Sequence, residues 1–193
     1  PEDALKRMYE IFGKKYEIKQ SGECNCKLAT YTFEYRPDEK DKDRTVTVNL
    51  TKKGGLVADI IDSKQSGEAK ISMDDALKRA SDFLNNFSYH SMKNSYYEIS
   101  DSTVTINYAY EQNGVIMYTD LIKVKVALDT GEIVGLEANG FLMNHKDRTL
   151  PENLISEEEC RSKVSSHAEI QTIRRCVIPL ESLREVYCYE IKC

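Results

Sequence analysis

The chain has 193 residues, and its 27 Lys and Arg against 32 Asp and Glu give a formal net charge of −5. This length can bury a core, and a content of 31% charged and 40% hydrophobic residues excludes a disordered tail. Basic and acidic residues are interspersed, which excludes the clustered Lys and Arg of nucleic-acid binders, and no apolar run approaches the roughly 18–20 residues that span a bilayer.

The first predicted helix opens an internal repeat. Residues 1–7 match residues 73–79, and residues 156–164 begin a third copy of the same kind. A Ser followed by acidic residues, as at Ser72 and Ser156, is typical of a helix N-cap. Apolar residues then recur at helical spacing: Leu5, Met8, Tyr9 and Phe12 in the first copy, and Ala76, Leu77, Ala80, Phe83 and Leu84 in the second.

Segments typical of β-strands follow each predicted helix. The predicted strands are residues 16–19, 27–35, 45–50 and 56–61 in the first copy, 96–99, 103–110, 115–128 and 133–138 in the second, and 168–180 and 184–191 in the third. Asn113 and Gly114 form a strong hairpin-turn signal. The predicted linkers are residues 62–70 and 146–154. The pattern predicts an α+β fold in which each unit has one helix packed on an antiparallel β-meander sheet.

Two segments of the second copy resemble a known family. Residues 124–133, V-K-V-A-L-D-T-G-E-I, resemble the closing hairpin of the PepSY domain. Residues 139–148, N-G-F-L-M-N-H-K-D-R, are followed by Pro151 and the Ser-Glu-Glu-Glu start at Ser156, and this arrangement resembles the C-terminal region of the YpeB family of spore germination proteins. The likeness covers most of the chain and is strongest from residue 122 onward.

The repeat and the resemblance together predict tandem PepSY-like units at residues 1–62, 71–145 and 155–193, and we expect the third unit to be incomplete in this chain or to continue beyond it. Because a unit of about 70 residues buries little apolar surface alone, we expect neighbouring units to pack together or share sheet edges. The chain begins at Pro1, so we also expect it to be a fragment of a longer protein.

The same resemblance implies a non-enzymatic, extracytoplasmic protein of spore-forming bacteria. It places the protein at the outer face of the spore inner membrane or in the cortex region, with a membrane anchor preceding the PepSY units. The implied partner is the cortex-lytic hydrolase SleB, which the protein would bind and stabilise, localise or inhibit. The alternative is a structural module that binds cortex peptidoglycan, against which the negative net charge argues mildly. No cofactor and no nucleic-acid partner are expected.

A partner-binding surface is predicted where an apolar run meets the charged second linker. Its residues are Phe141, Leu142, Met143, Asn144, His145 and Arg148. Burial against the third unit explains the apolar run equally well, and for His145 we favour a structural role at the junction of the second and third units. The Tyr-rich residues 89–97 are typical of a surface loop, with sugar stacking as the alternative.

No catalytic or metal-binding residue is predicted. Asp129-Thr130-Gly131 imitates the active-site strand of an aspartic protease, but that chemistry needs two carboxylates that share a proton, and the sequence contains one such motif. A hairpin turn explains these residues fully.

The six cysteines are expected to be free thiols: Cys24, Cys26, Cys160, Cys176, Cys188 and Cys193. If residues 24–26 continue a strand, Cys24 and Cys26 point to opposite faces, which suits neither a disulfide nor a shared metal ion. Cys188 and Cys193 lie too far apart along a strand to bridge. A redox pair formed by Cys24 and Cys26, or by Cys160 and Cys176, is the alternative.

Overall fold

The computed structural model describes residues 2–38, 40–151, 155–182 and 184–193. Its elements in chain order are α1 (Glu2–Phe12), β1 (Lys19–Cys24), β2 (Thr30–Tyr35), β3 (Val46–Thr51), β4 (Val57–Asp62), α2 (Met73–Asn86), β5 (Met92–Ser100), β6 (Thr103–Gln112), β7 (Val115–Ala127), β8 (Ile133–Glu137), α3 (Asn139–Asn144), α4 (Glu157–Ser162), β9 (Thr172–Pro179) and β10 (Glu185–Lys192). Pro1, where the predicted repeat opens, and residues 152–154 of the second predicted linker lie outside the described residues.

One sheet runs through the whole molecule in the order β1-β2-β3-β4-β8-β7-β6-β5. The first meander (β1–β4) joins the second (β5–β8) because β4 pairs antiparallel with β8. The hairpin of β9 and β10 attaches through a short parallel pairing of β9 with β7. The predicted α+β fold of tandem helix-on-meander units is confirmed, whereas the exact unit boundaries stay predictions.

Both predicted N-caps are confirmed at the starts of α2 and α4. The Ser72 hydroxyl accepts a hydrogen bond from the Asp75 N–H at 3.1 Å, and the Ser156 hydroxyl accepts one from the Glu159 N–H at 3.0 Å. Each bond satisfies an N–H that the helix itself leaves unpaired. None of the described helices has the length and apolar character needed to cross a membrane.

A single hydrophobic core joins the two meanders. It contains Met8, Phe33, Val48 and Leu50 from the first unit and Leu84, Ile106, Val124 and Val126 from the second. Full burial of such a side chain stabilises the fold by about 1.5–3 kcal/mol. The helices cover this face of the sheet, while residues on the opposite face, among them Lys123, Lys125 and Glu137, stay accessible, as is common for antiparallel sheets.

The first strand is displaced from its predicted position. The sequence predicts a strand at residues 16–19, whereas β1 is Lys19–Cys24, with the sequence K-Q-S-G-E-C. This edge strand is largely exposed and is held by its pairing with β2, where a bulge lies between Gln20 and Gly22. Its residues carry no apolar alternation, so the sequence pattern could not indicate it.

The expectation that Cys24 and Cys26 cannot form a disulfide is wrong. Their sulfurs are joined by a disulfide, with the two Cα atoms 5.4 Å apart. The strand ends at Cys24, and the chain bends at Cys26. The alternation of side chains across a strand therefore does not extend to Cys26, and the premise of the prediction fails. Cys160, Cys176, Cys188 and Cys193 are free.

Candidate functional site

Five polar side chains meet where the second unit contacts the β9–β10 hairpin, and we call them the junction cluster: Thr119, Asp120, His145, Arg148 and Glu185. Arg148 donates to both carboxylate oxygens of Asp120 at 2.7 and 2.9 Å and to Glu185 at 2.7 and 3.0 Å. It also donates to the Thr119 hydroxyl at 2.7 Å. The Nδ1 atom of His145 lies 2.9 Å from Asp120. The cluster therefore links β7, the segment after α3, and β10.

The charges of the junction cluster are buried and paired. The Asp120 side chain is 0% exposed and the Arg148 side chain 6% exposed, so each depends on the other for compensation. The hydrogen bond to Glu185, above all, raises the pKa of Arg148, and the same bond lowers the pKa of Glu185. The ion pairs of Arg148 with Asp120 and Glu185 connect the third unit to the second.

Aromatic rings hold the His145 imidazole. It stacks on Phe141 with the ring centroids 4.2 Å apart and meets Tyr110 edge-on at 4.5 Å. The His145 side chain is 32% exposed, while its ring packs against two aromatic side chains and its Nδ1 atom is bonded to the buried Asp120 carboxylate. These contacts suit a structural role for His145 at the junction of the second and third units.

The predicted partner-binding residues separate into packed and accessible ones. Phe141 and Leu142 in α3 pack against the core. Asn144 donates to the backbone oxygen of Thr119 at 3.3 Å. Met143 is 44% exposed, so it is the large apolar side chain of this set that a partner could reach. Binding through these residues stays a prediction.

A second exposed surface lies along β5. This strand ends the main sheet order, and among the described residues its only strand partner is β6. Tyr96, Tyr97 and Ile99 are 54%, 49% and 55% exposed. We call residues 92–100 the β5 edge. The sequence predicts a strand at residues 96–99, but its place at the edge of the sheet depends on the topology, which no local pattern reveals.

Asp129 anchors the turn between β7 and β8. Lys64 donates to both of its oxygens at 2.7 Å, and the Gly67 N–H donates to it at 2.8 Å. The bond from Lys64 is the main reason why the pKa of Asp129 is lowered to about 2. This carboxylate is paired with a cation, whereas an aspartic protease needs two carboxylates that share a proton.

A surface cleft of about 450 Å³ adjoins the junction cluster, and Lys146, Arg148, Leu150, Val177 and Tyr187 are among its lining residues. Within the ranges that the structure describes, no group of three His, Cys, Asp or Glu side chains is placed to hold a metal ion. The cleft lies between the second unit and the β9–β10 hairpin.

Comparison with known proteins finds one sporulation family. The family model described as "YpeB sporulation, PepSY1 and PepSY2 domains" matches residues 1–151. The sporulation protein YpeB of Oceanobacillus iheyensis is 34% identical over 192 residues, which are 97% of this chain and 42% of the relative. The sporulation protein YpeB of Bacillus subtilis is 35% identical over 161 residues, which are 81% of this chain and 36% of the relative. The chain thus spans about two fifths of the length of these relatives.

A solved structure has the same fold. The Bacillus megaterium YpeB C-terminal domain superposes with a TM-score of 0.89, covering 98% of this chain and 85% of that one. The two sequences are 24% identical. The likeness shows that the arrangement of tandem helix-on-meander units and attached hairpin occurs in a known protein.

Proposed function

Because the chain belongs to the YpeB family of sporulation proteins and carries its first and second PepSY domains, we propose that it acts in spore formation or germination as a non-enzymatic binding module. The proposed partner is a cortex-lytic hydrolase of the SleB type, which the module holds and stabilises, localises or restrains until germination. The proposed location is extracytoplasmic, at the outer face of the spore inner membrane or in the cortex region.

The β5 edge is the observation that carries the binding proposal. A nine-residue strand with no second strand beside it in the described part of the chain offers backbone N–H and C=O groups to a partner. Recognition by an added strand takes affinity from such main-chain bonds and specificity from the flanking side chains. Tyr96, Tyr97 and Ile99 supply exposed apolar contacts of the kind that dominate interface energies.

Substitution of Ile99 tests this surface. Ile99→Asp places a charge at the contact and should weaken binding to the purified hydrolase by about tenfold or more, as measured by titration calorimetry. Ile155→Asp is the matched control, since Ile155 is also exposed and lies away from β5. Binding that is unchanged by Ile99→Asp and weakened by Met143→Asp would move the interface from the β5 edge to α3.

The non-enzymatic role has a separate test. The purified chain, incubated with cortex peptidoglycan or with protein substrates, should release no products. Product release that is abolished by Asp129→Asn or His145→Gln would contradict the proposal, because these are the residues that most resemble catalytic groups.

A second function, direct binding of cortex peptidoglycan, is favoured by the exposed rings of Tyr96 and Tyr97, which could stack on sugars. The net charge of −5 disfavours an anionic polymer. Pelleting with purified cortex separates the two functions. Retention of the chain without hydrolase, and its loss in Tyr96→Ala, would support the wall-binding function.

A further inference from the structure

Two free cysteines face each other across the β9–β10 hairpin. Cys176 and Cys188 are direct register partners, and their sulfurs lie 3.6 Å apart. Opposite residues of an antiparallel pair have Cα atoms roughly 4.5–5.5 Å apart. A disulfide accepts Cα separations of about 4.4–6.8 Å, so the pairing of the two strands places Cys176 and Cys188 within the Cα range of a disulfide.

The two thiols differ in access. Cys176 is 1% exposed and packs against Ala109 and Ile116 of the second unit, whereas Cys188 is partly exposed. Burial, followed by the contact with Cys188, raises the pKa of Cys176 to about 12. A soluble reagent therefore reaches Cys188 first, because Cys176 is both covered and held in its protonated form.

We propose that Cys176 and Cys188 are a modification site for small-molecule disulfides and form a reversible cross-strand disulfide with Cys188 as the point of entry. In the first step the Cys188 thiolate attacks a reagent disulfide, forms a mixed disulfide and releases one reagent thiol. In the second step Cys176 loses its proton, attacks the Cys188 sulfur and releases the second reagent thiol. Two protein thiols are oxidised and one reagent disulfide is reduced.

The disulfide would strengthen the contact between the third unit and the second unit. β9 pairs with β7, while β10 supplies Glu185 to the junction cluster and Glu190 to Tyr118 of β7 at 2.8 Å. A bond between Cys176 and Cys188 closes a short loop and limits the unfolded states of the hairpin. Oxidation should therefore hold β10, with Glu185 and Glu190, more firmly against the second unit.

The test uses the chain with Cys160→Ser and Cys193→Ser, which leaves the disulfide of Cys24 and Cys26 in place and two free thiols. Treatment with oxidised glutathione at mildly alkaline pH should reduce the thiol titre from two to none. Peptide mass mapping should show Cys176 linked to Cys188, and the β10 amides should exchange hydrogen more slowly. Dithiothreitol should remove the link between Cys176 and Cys188 from the peptide map and restore the faster exchange of the β10 amides.

Single variants in this background resolve the order of the steps. Cys176→Ser should stop at a stable glutathione adduct on Cys188, and Cys188→Ser should leave Cys176 unmodified. The second variant changes a partly exposed residue, so it remains informative if Cys176→Ser does not fold. Glutathione retained on Cys188 while Cys176 is present, or two thiols that persist throughout, would overturn the proposal.

Discussion

Asp120 is the residue on which the junction between the second and third units most depends. A fully buried carboxylate is costly unless cations and hydrogen bonds compensate it, and here Arg148, Thr119 and His145 all contact it. The sequence predicts a junction role for His145, but Asp120 stands within a long strand, where no local pattern marks it as buried. Its importance follows only from the packing of α3 and β10 around it.

Loss of Arg148 should destabilise the chain strongly. Arg148→Ala removes the buried guanidinium that pairs with both oxygens of Asp120, for which we expect a decrease of about 3 kcal/mol in the free energy of unfolding by urea. The control Arg161→Ala removes an exposed ion pair with Glu157 and should cost less than about 0.5 kcal/mol. Equal effects of the two substitutions would show that the junction cluster is not a stabilising element.

Asp129 should make the stability depend on pH at the acid end. Its pKa is lower in the folded than in the unfolded chain, so the unfolded state binds more protons. The stabilisation is complete above about pH 4 and is lost as the pH falls to about 2. After allowance for screening we expect a contribution of about 1 kcal/mol.

The comparison of the wild-type chain with Asp129→Asn isolates this contribution. The difference in unfolding free energy between them should shrink from pH 5 to pH 2. Other carboxylates with lowered pKa values, such as Glu185 and Glu190, contribute equally to both proteins and cancel. A difference that is constant over this range would contradict the role of the Lys64 ion pair.

At the scale of elements, local sequence rules predict the helix starts and the central strands. They do not predict the strands at the edges of the sheet. Ser72 and Ser156 mark the starts of α2 and α4 in the sequence because an N-cap depends on a local hydrogen bond. The strands β3, β6 and β7 carry β-branched residues and apolar faces that the pattern detects. The position of β1, the bend at Cys26 and the exposure of β5 depend on neighbouring strands, so the sequence alone could not place them.

The N-cap of α2 offers a direct measurement at this scale. Ser72→Ala removes the acceptor for the Asp75 N–H and should lower the free energy of unfolding by about 1 kcal/mol. Ser81→Ala, within the same helix, serves as the control and should be neutral or slightly stabilising because Ala is the better helix former. Circular dichroism during urea unfolding provides both values, and equal values would contradict the cap.

At the scale of the whole molecule, the two PepSY meanders share one sheet and one hydrophobic core. Leu136 in β8 is register partner to Ile60 of the first meander and to Val124 of the second, and all three lie in the same core. The repeat is visible in the sequence, but the pairing of β4 with β8 is not, since nothing local specifies which strand edges meet. The units should therefore unfold together.

Leu136→Ala tests this coupling. Loss of the buried side chain should cost about 2–5 kcal/mol and accelerate hydrogen exchange equally in β2 and β6, which belong to different meanders. Leu56→Ala, at an exposed position, should change neither. Faster exchange confined to one meander would mean that the units unfold independently.

We propose that this chain of the YpeB family is a binding module for a cortex-lytic hydrolase. Size-exclusion chromatography with light scattering, on the chain alone and then mixed with a purified SleB-type hydrolase, tests it most directly. We expect a co-eluting complex whose mass is the sum of both components, with the complex reduced for Ile99→Asp and kept for Ile155→Asp. Two separate peaks at micromolar concentrations of both proteins would contradict the claim.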